Sequence, residues 1–140
     1  GDRRDPLRSP GEGRHATHIM KMLTLRPEQM TVLQQYMRDT FKQRMLVRLR
    51  ERFTDQTRDL HDPELLQTID ERMDQANSYG VRTEQDVQRF LEHAIEMGPG
   101  FPAGASMAWA RRILEDRTLS GTRKMNQIDD HTTFSRRSKP

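Results

Sequence analysis

The sequence contains no cysteine among its 140 residues. This absence excludes disulfides, thiolate metal sites and cysteine nucleophiles, and it is typical of a cytoplasmic protein. Long hydrophobic runs are missing too, since no stretch approaches the roughly 18 apolar residues that a membrane-spanning helix needs. Hydrophobic residues make up 32% of the chain and the mean hydropathy is −1.00, so the sequence can supply only a small core.

Recognisable catalytic motifs are also absent. The sequence has no HExxH, no GxSxG and no phosphate-binding glycine loop. His15 and His18 lie in a polar stretch without the carboxylates that would complete a metal site. The run Gly98-Pro99-Gly100 lacks the preceding strand and following lysine of a phosphate loop, so it indicates a helix end. We therefore predict no catalytic residue, no metal and no cofactor.

The two ends of the chain differ from its middle. Residues 1–22 are polar and rich in glycine, proline and charge, which predicts a flexible leader. The methionines at 20 and 22 leave open whether this leader is native. Residues 131–140 are similarly polar and predict a flexible basic tail. One helical domain is expected over residues 23–130.

Helix signals dominate the middle, and no segment alternates with period two for long enough to predict a strand. Pro27 followed by Glu28 is typical of the first turn of a helix. Apolar residues at helical spacing continue from Met30 to Phe53, with the second half of the stripe rotated by about a quarter turn. This pattern predicts one long helix, or two in tandem, over residues 27–53.

The later helices are predicted from their ends. Gly80 and Gly98 are suited to end helices, because glycine readily adopts the left-handed conformation. Small polar residues before apolar stripes mark the starts. The N-caps that we predict are Asp62, Thr83, Ser106 and Ser120. The expected fold class is all-α, a compact bundle of four or five helices with flexible ends.

One core should be shared by the apolar sides of these helices, since short helices gain stability chiefly by packing. The residues that we predict in it are Phe41, Leu46, Leu49, Ile69, Met73, Val87, Phe90, Leu91, Trp109 and Ile113.

Charge is present but unevenly distributed. The chain has 24 basic and 21 acidic residues, a formal net charge of +3. Residues 27–116 hold 12 basic and 16 acidic residues, so the excess of positive charge belongs to the ends. Within the middle, one basic stretch over residues 38–52 is followed by a mostly acidic region. This asymmetry favours attraction between folded segments, with a partner surface as the second interpretation.

A candidate partner-binding surface lies on the first helix. Arg44, Arg48 and Arg52 recur every fourth residue and so lie on one side, roughly in line with Met30 and Met37. Methionine and arginine are enriched at interface centres. These five are the partner-binding residues that we predict.

Two alternatives compete with this interpretation. Methionines at helical spacing more often fill an irregular core than line a binding surface. The arginines could instead pair internally with acidic helices, and the acids considered are Asp70, Asp74 and Glu92.

Several short motifs together resemble a known group of proteins. They are Tyr79-Gly80-Val81, Glu84-x-Asp86-Val87-x-x-Phe90, Gly98-x-x-Phe101, Trp109-Ala110-x-x-Ile113-Leu114 and Lys124-Met125. This combination resembles small all-helical bacterial proteins encoded beside type VI secretion spike, effector and effector-chaperone genes. The resemblance implies an adaptor or co-chaperone that helps to load a secreted toxin. Its partner would be the effector or the effector's chaperone, and no catalytic residue is implied.

The rival function comes from a different class. A small nucleic-acid-binding helical protein could use Arg44, Arg48, Arg52 and the basic ends, and its binding would depend steeply on salt. The acidic remainder of residues 27–116 argues against it, because that surface would repel phosphates.

Overall fold

The structure is a computed structural model, and it describes residues 26–138, with side chains as far as Ser135. The predicted leader at 1–22, with His15 and His18, lies outside the described residues. The chain divides after Arg38 into two units, and each is described by itself.

The described residues form helices and contain no strand, which confirms the all-α class. The helices are α1 Pro27–Arg52, α2 Thr54–Thr57, α3 Asp62–Ser78, α4 Glu84–Met97, α5 Ala108–Leu114 and α6 Gly121–Ser138. Helices α2 and α5 are shorter than eight residues, and a 3₁₀ turn at Ala105–Met107 precedes α5. Within residues 26–138, no helix combines the length and apolar character needed to cross a membrane.

Helix α1 resolves the choice between one helix and two. It runs without a break from Pro27 to Arg52, with Glu28 in its first turn as predicted. Phe53, with φ −127° and ψ 57°, leaves the helical conformation and separates α1 from the single turn of α2.

The start of α3 differs from the prediction by one residue. His61, rather than Asp62, is the N-cap, with an extended backbone at φ −73° and ψ 157°. Its N–H donates to Glu64 Oε1 at 2.9 Å, which is half of a capping box. The Asp62 carboxylate instead accepts from Arg50 Nη2 at 2.7 Å, so its side chain contacts α1.

The turn between α3 and α4 forms as the sequence predicts. Gly80 has φ 81°, its N–H donates to Asn77 O at 3.0 Å, and the N–H of Val81 donates to Ala76 O at 3.0 Å. These two bonds are a Schellman motif. Thr83 then caps α4 by accepting from the N–H of Asp86 at 3.2 Å.

The core lies within residues 39–138, and eight of the ten predicted core residues are buried there. Trp109 and Ile113 are the exceptions, because they are only half-buried. Their helix begins at Ala108 behind a 3₁₀ turn, so Ser106 is not its N-cap. The side of α5 that faces the core carries Ala110 and Leu114, which are fully buried.

The last helix continues past the predicted domain end. Ser120 Oγ accepts from the N–H of Arg123 at 3.1 Å, as expected of an N-cap, and α6 then runs to Ser138. Residues 131–138 are thus helical, and whether this stretch is flexible stays a prediction. His131 stacks on Trp109, with ring centroids 3.7 Å apart and planes 9° from parallel.

Candidate functional site

The three arginines predicted to bind a partner all form ion pairs with α4. Arg44 Nη2 lies 2.8 Å from Glu84 Oε1. Arg48 Nε and Arg52 Nη1 both contact Glu92, at 2.6 Å and 3.0 Å. Of the acids considered beforehand, Glu92 is thus a partner of these arginines, and Glu84 was missed. These ion pairs favour the interpretation that the arginines pair internally with an acidic helix over the interpretation that they form a partner-binding surface.

The rest of the basic stretch from residue 42 onward is also paired. Lys42 Nζ lies 3.2 Å from Asp70 Oδ1, so Asp70 pairs with the lysine of α1. Arg50 donates to the carbonyl oxygens of Thr57 at 2.9 Å and Leu60 at 2.7 Å, besides its bond to Asp62. These contacts account for the charge asymmetry as attraction between folded segments. Partly exposed pairs of this kind contribute about 0–1 kcal/mol each.

Met30 and Met37, the other two predicted residues, lie in the unit before residue 39 and are exposed. They belong to a group of five large apolar side chains, each 40–69% exposed. At 3.6 residues per turn these side chains span about 160° of the helix circumference. We call this group the apolar arc of α1; its members are Met30, Val32, Leu33, Tyr36 and Met37.

The opposite side of the same segment is polar. It carries Glu28, Thr31 and Gln35, so residues 26–38 are amphipathic. An apolar face this broad is typical of a helix that packs against another element. The sequence identified the methionines by their spacing. Val32 and Tyr36 were missed, although their separation of four residues beside Leu33 and Met37 could have revealed them.

A polar network joins α4 to α6. Three residues of α4 at helical spacing contact three of α6, in the order expected of parallel helices. The contacting pairs are Asp86 with Thr122, Arg89 with Asn126, and His93 with Asp129.

Asp86 is the most buried acid of this network, with 4% of its surface exposed. It accepts from the Thr122 hydroxyl at 2.5 Å and from Arg89 Nη1 at 3.0 Å. Burial acts to raise the pKa of Asp86, but the hydrogen bonds with Thr122, Thr83 and Arg89 together lower that pKa below its usual value.

Arg89 and Asp129 connect the remaining members. Arg89 Nη2 donates to Asp129 Oδ2 at 2.6 Å and to Asn126 Oδ1 at 2.7 Å. Burial acts to lower the pKa of Arg89, but its bonds to Asp129 and Asp86 raise that pKa overall. The second oxygen of Asp129 lies 2.6 Å from His93 Nε2.

A histidine beside an aspartate can act as a general base, provided that a substrate can reach the histidine ring. His93 is buried, and its second ring nitrogen, Nδ1, is enclosed without a hydrogen-bond partner. A substrate cannot reach that nitrogen in this arrangement. Within residues 26–138, no three metal-ligating side chains cluster. The network is therefore best understood as the contact that holds α6 against α4.

Two arginines hold the loop that follows α4. Arg72 donates to the carbonyl oxygens of Gly98, at 3.2 Å, and Phe101. Arg111 Nη1 donates to those of Pro102 at 2.7 Å and Gly104 at 2.8 Å. Gly98 has φ 85° and ends α4, which confirms the interpretation of this run as a helix end.

The motif residues on which the resemblance depends contact one another inside the fold. The Phe90 ring lies 6.4 Å from that of Tyr79 and 5.4 Å from that of Phe101, centroid to centroid. Lys124 Nζ donates to Tyr79 O at 2.7 Å. These contacts between motif residues join α3, α4, α6 and the loop after α4.

Comparison of the chain with family models, with curated proteins and with solved structures finds no match. The relation to proteins of type VI secretion stays a prediction from the sequence.

Proposed function

We propose that the protein is a non-enzymatic, protein-binding accessory factor that docks its partner on the apolar arc of α1. The observation that carries this proposal is the exposure of all five members of the arc. Contiguous exposed apolar side chains on a folded protein mark interaction surfaces. Covering them releases about 25 cal/mol for each Å² of apolar area removed from water.

The composition of the arc favours a helical or grooved protein partner. Its residues lie on one side of a helix, as do the anchors of helices that bind in apolar grooves. Methionine adapts its shape to a partner, and tyrosine is enriched at interface centres. Of the original five predicted residues, Met30 and Met37 remain in the proposed surface. Arg44, Arg48 and Arg52 are not part of the proposed surface, because each is paired with an acid of α4.

The proposed biological role is that of an adaptor or co-chaperone in loading a type VI secretion effector in the bacterial cytoplasm. It is supported by the resemblance alone. The partner would be the effector or the effector's chaperone. The apolar arc is compatible with this role, because chaperone and adaptor contacts need an accessible apolar surface and no catalytic group.

Capture of partners from the native bacterium tests the proposal. The bait would be the full chain, its Leu33→Asp variant, or its Thr31→Asp variant as a control on the polar side of the same helix. We expect the original chain and Thr31→Asp to retain one effector or chaperone identified by mass spectrometry, and Leu33→Asp to lose it. Equal capture by both variants would show that the arc is not the docking surface.

Nucleic-acid binding remains the alternative function. It is weakened because Arg44, Arg48 and Arg52 would have to leave carboxylates at 2.6–3.0 Å to contact phosphates. Tight binding to random DNA at physiological salt would favour this alternative over the adaptor.

A further inference from the structure

The methionines of the described residues differ sharply in exposure. Met30 is 42% exposed and Met37 is 55% exposed, and both belong to the apolar arc. The other methionines within residues 26–138 are buried in the core or half-buried against it; they are Met45, Met73, Met97, Met107 and Met125. In this part of the chain, the methionine sulfur that a reagent in solution reaches most easily is therefore that of the arc.

Exposed methionine sulfur reacts with hydroperoxides. The sulfur atom attacks one oxygen of the peroxide and the O–O bond breaks. The attacked oxygen stays on sulfur as a sulfoxide, and the other leaves as water. Sulfur loses two electrons and the peroxide gains them. The sequence contains no cysteine, so no thiol of the same chain competes for the peroxide. Methionine sulfoxide reductases reverse the change at the expense of thiols, so the modification can act as a switch.

The two exposed methionines lie where oxidation would change the arc most. They are seven residues apart, which places them about 20° apart around the helix and about 10 Å apart along it. Leu33 lies between them, three residues after Met30 and four before Met37, so both are its neighbours on the helix surface. Two sulfoxides would put polar oxygen atoms on both sides of Leu33. A partner that covers the arc would have to remove water from those oxygens, which costs free energy.

We infer that Met30 and Met37 form a reversible oxidation site, and that a hydroperoxide releases the partner by converting them to sulfoxides. The inference rests on the proposed function in taking the apolar arc as the docking surface, and it adds the regulation of that surface. The fold should persist through the change, because the methionines of the core are shielded from the oxidant. Oxidation would thus switch off docking without unfolding the protein.

Treatment of the full chain with dilute hydrogen peroxide tests this inference. Peptide mapping by mass spectrometry follows each methionine, and retention on phenyl-agarose reports the exposed apolar surface. We expect Met30 and Met37 to be oxidised at least about fivefold faster than Met45 and Met125. Retention should fall as they react, at an unchanged melting temperature, and a methionine sulfoxide reductase should restore it.

Two double variants assign the loss of retention to the arc. Met30→Leu/Met37→Leu removes both exposed sulfur atoms and keeps side chains of similar volume. Met97→Leu/Met107→Leu is the matched control, since it removes two half-buried sulfur atoms and keeps those of the arc. For each protein, retention after treatment is divided by retention before it. We expect this ratio to stay near one in the first variant and to fall in the control as in the original chain. Both variants keep the methionines of residues 1–22, so sulfoxides there affect them equally.

Several outcomes would overturn the inference. They are equal oxidation rates for exposed and buried methionines, an equal fall in retention in the two variants, and a lower melting temperature after treatment. Partner capture separates this inference from the proposed function. If the oxidised chain still captures a partner that Leu33→Asp loses, the oxidation switch is wrong and the docking surface stands. If the untreated chain captures no partner, the proposed function fails, and with it the release of a partner by oxidation.

Discussion

The two parts of helix α1 on either side of Arg38 both carry apolar side chains at helical spacing, but they differ in how far these side chains are covered. Before Arg38, the apolar side chains are exposed by 40% or more. After it, Phe41, Met45, Leu46 and Leu49 are exposed by 8% or less. An apolar stripe therefore identifies a face able to be buried, and the rest of the fold decides whether it is covered. The exposed part is the surface on which we propose that a partner docks.

Truncating one apolar residue in each part gives the largest contrast. Phe41→Ala should lower the free energy of unfolding by about 3–5 kcal/mol, because it leaves a cavity in a packed core. Met37→Ala, one turn earlier, should change it by less than about 0.5 kcal/mol, because its side chain is exposed. Denaturant unfolding measures both. A loss of several kcal/mol in Met37→Ala would show that the first part of α1 is covered in solution.

The polar network between α4 and α6 tests whether the stability of the buried core also depends on charged side chains. Asp86→Asn should cost about 2–3 kcal/mol, because it weakens buried, charge-assisted hydrogen bonds from Thr122 and Arg89. The pKa of Asp86 is lowered in the folded protein, so its contribution is complete above the usual value of 3.8 and is lost as pH falls through the folded value.

Denaturation at a series of pH values checks the sign of this effect. We expect the original chain to lose stability below about pH 4, and Asp86→Asn to lose less over the same range. Parallel pH curves for the two proteins would contradict the assignment of this acid sensitivity to Asp86.

The close contact between the start of α6 and the backbone of the α3–α4 turn can be tested by adding a methyl group at Gly121. Gly121→Ala should cost about 1–3 kcal/mol, because the added methyl group would overlap the α3–α4 turn. Gly100→Ala is the control, since an added Cβ there meets nothing within 4 Å. Thermal melting of the two variants should separate them clearly, and similar melting temperatures would mean that the start of α6 moves away without cost.

The smallest effect concerns the ion pairs between α1 and α4. Arg48→Glu should lower stability by about 1 kcal/mol, because it places a like charge beside Glu92 at a half-exposed position. The double variant Arg48→Glu/Glu92→Arg should recover part of that loss, and partner capture should be unchanged in both. Loss of capture by Arg48→Glu without a change in melting temperature would return Arg48 to the docking surface.

Local patterns were sufficient wherever a short segment determines its own structure. The all-α class, the helix start at Pro27, the Schellman turn at Gly80 and the caps at Thr83 and Ser120 all follow from residues within one or two turns, whereas the choice between one long helix and two in tandem over residues 27–53 did not. The candidate site was predicted less well, because Met30 and Met37 were identified by spacing while the pairing of the arginines needed residues some 40 positions away.

The sequence by itself determined which segments become helices and which sides of them are apolar, because these features depend on neighbours within about four residues. Only the tertiary structure decided which apolar side stays exposed, which arginines are paired, and how far α6 extends. Those outcomes depend on contacts between residues distant in the chain. Arg48 with Glu92, Gly80 with Gly121, and Trp109 with His131 meet only after the helices have packed.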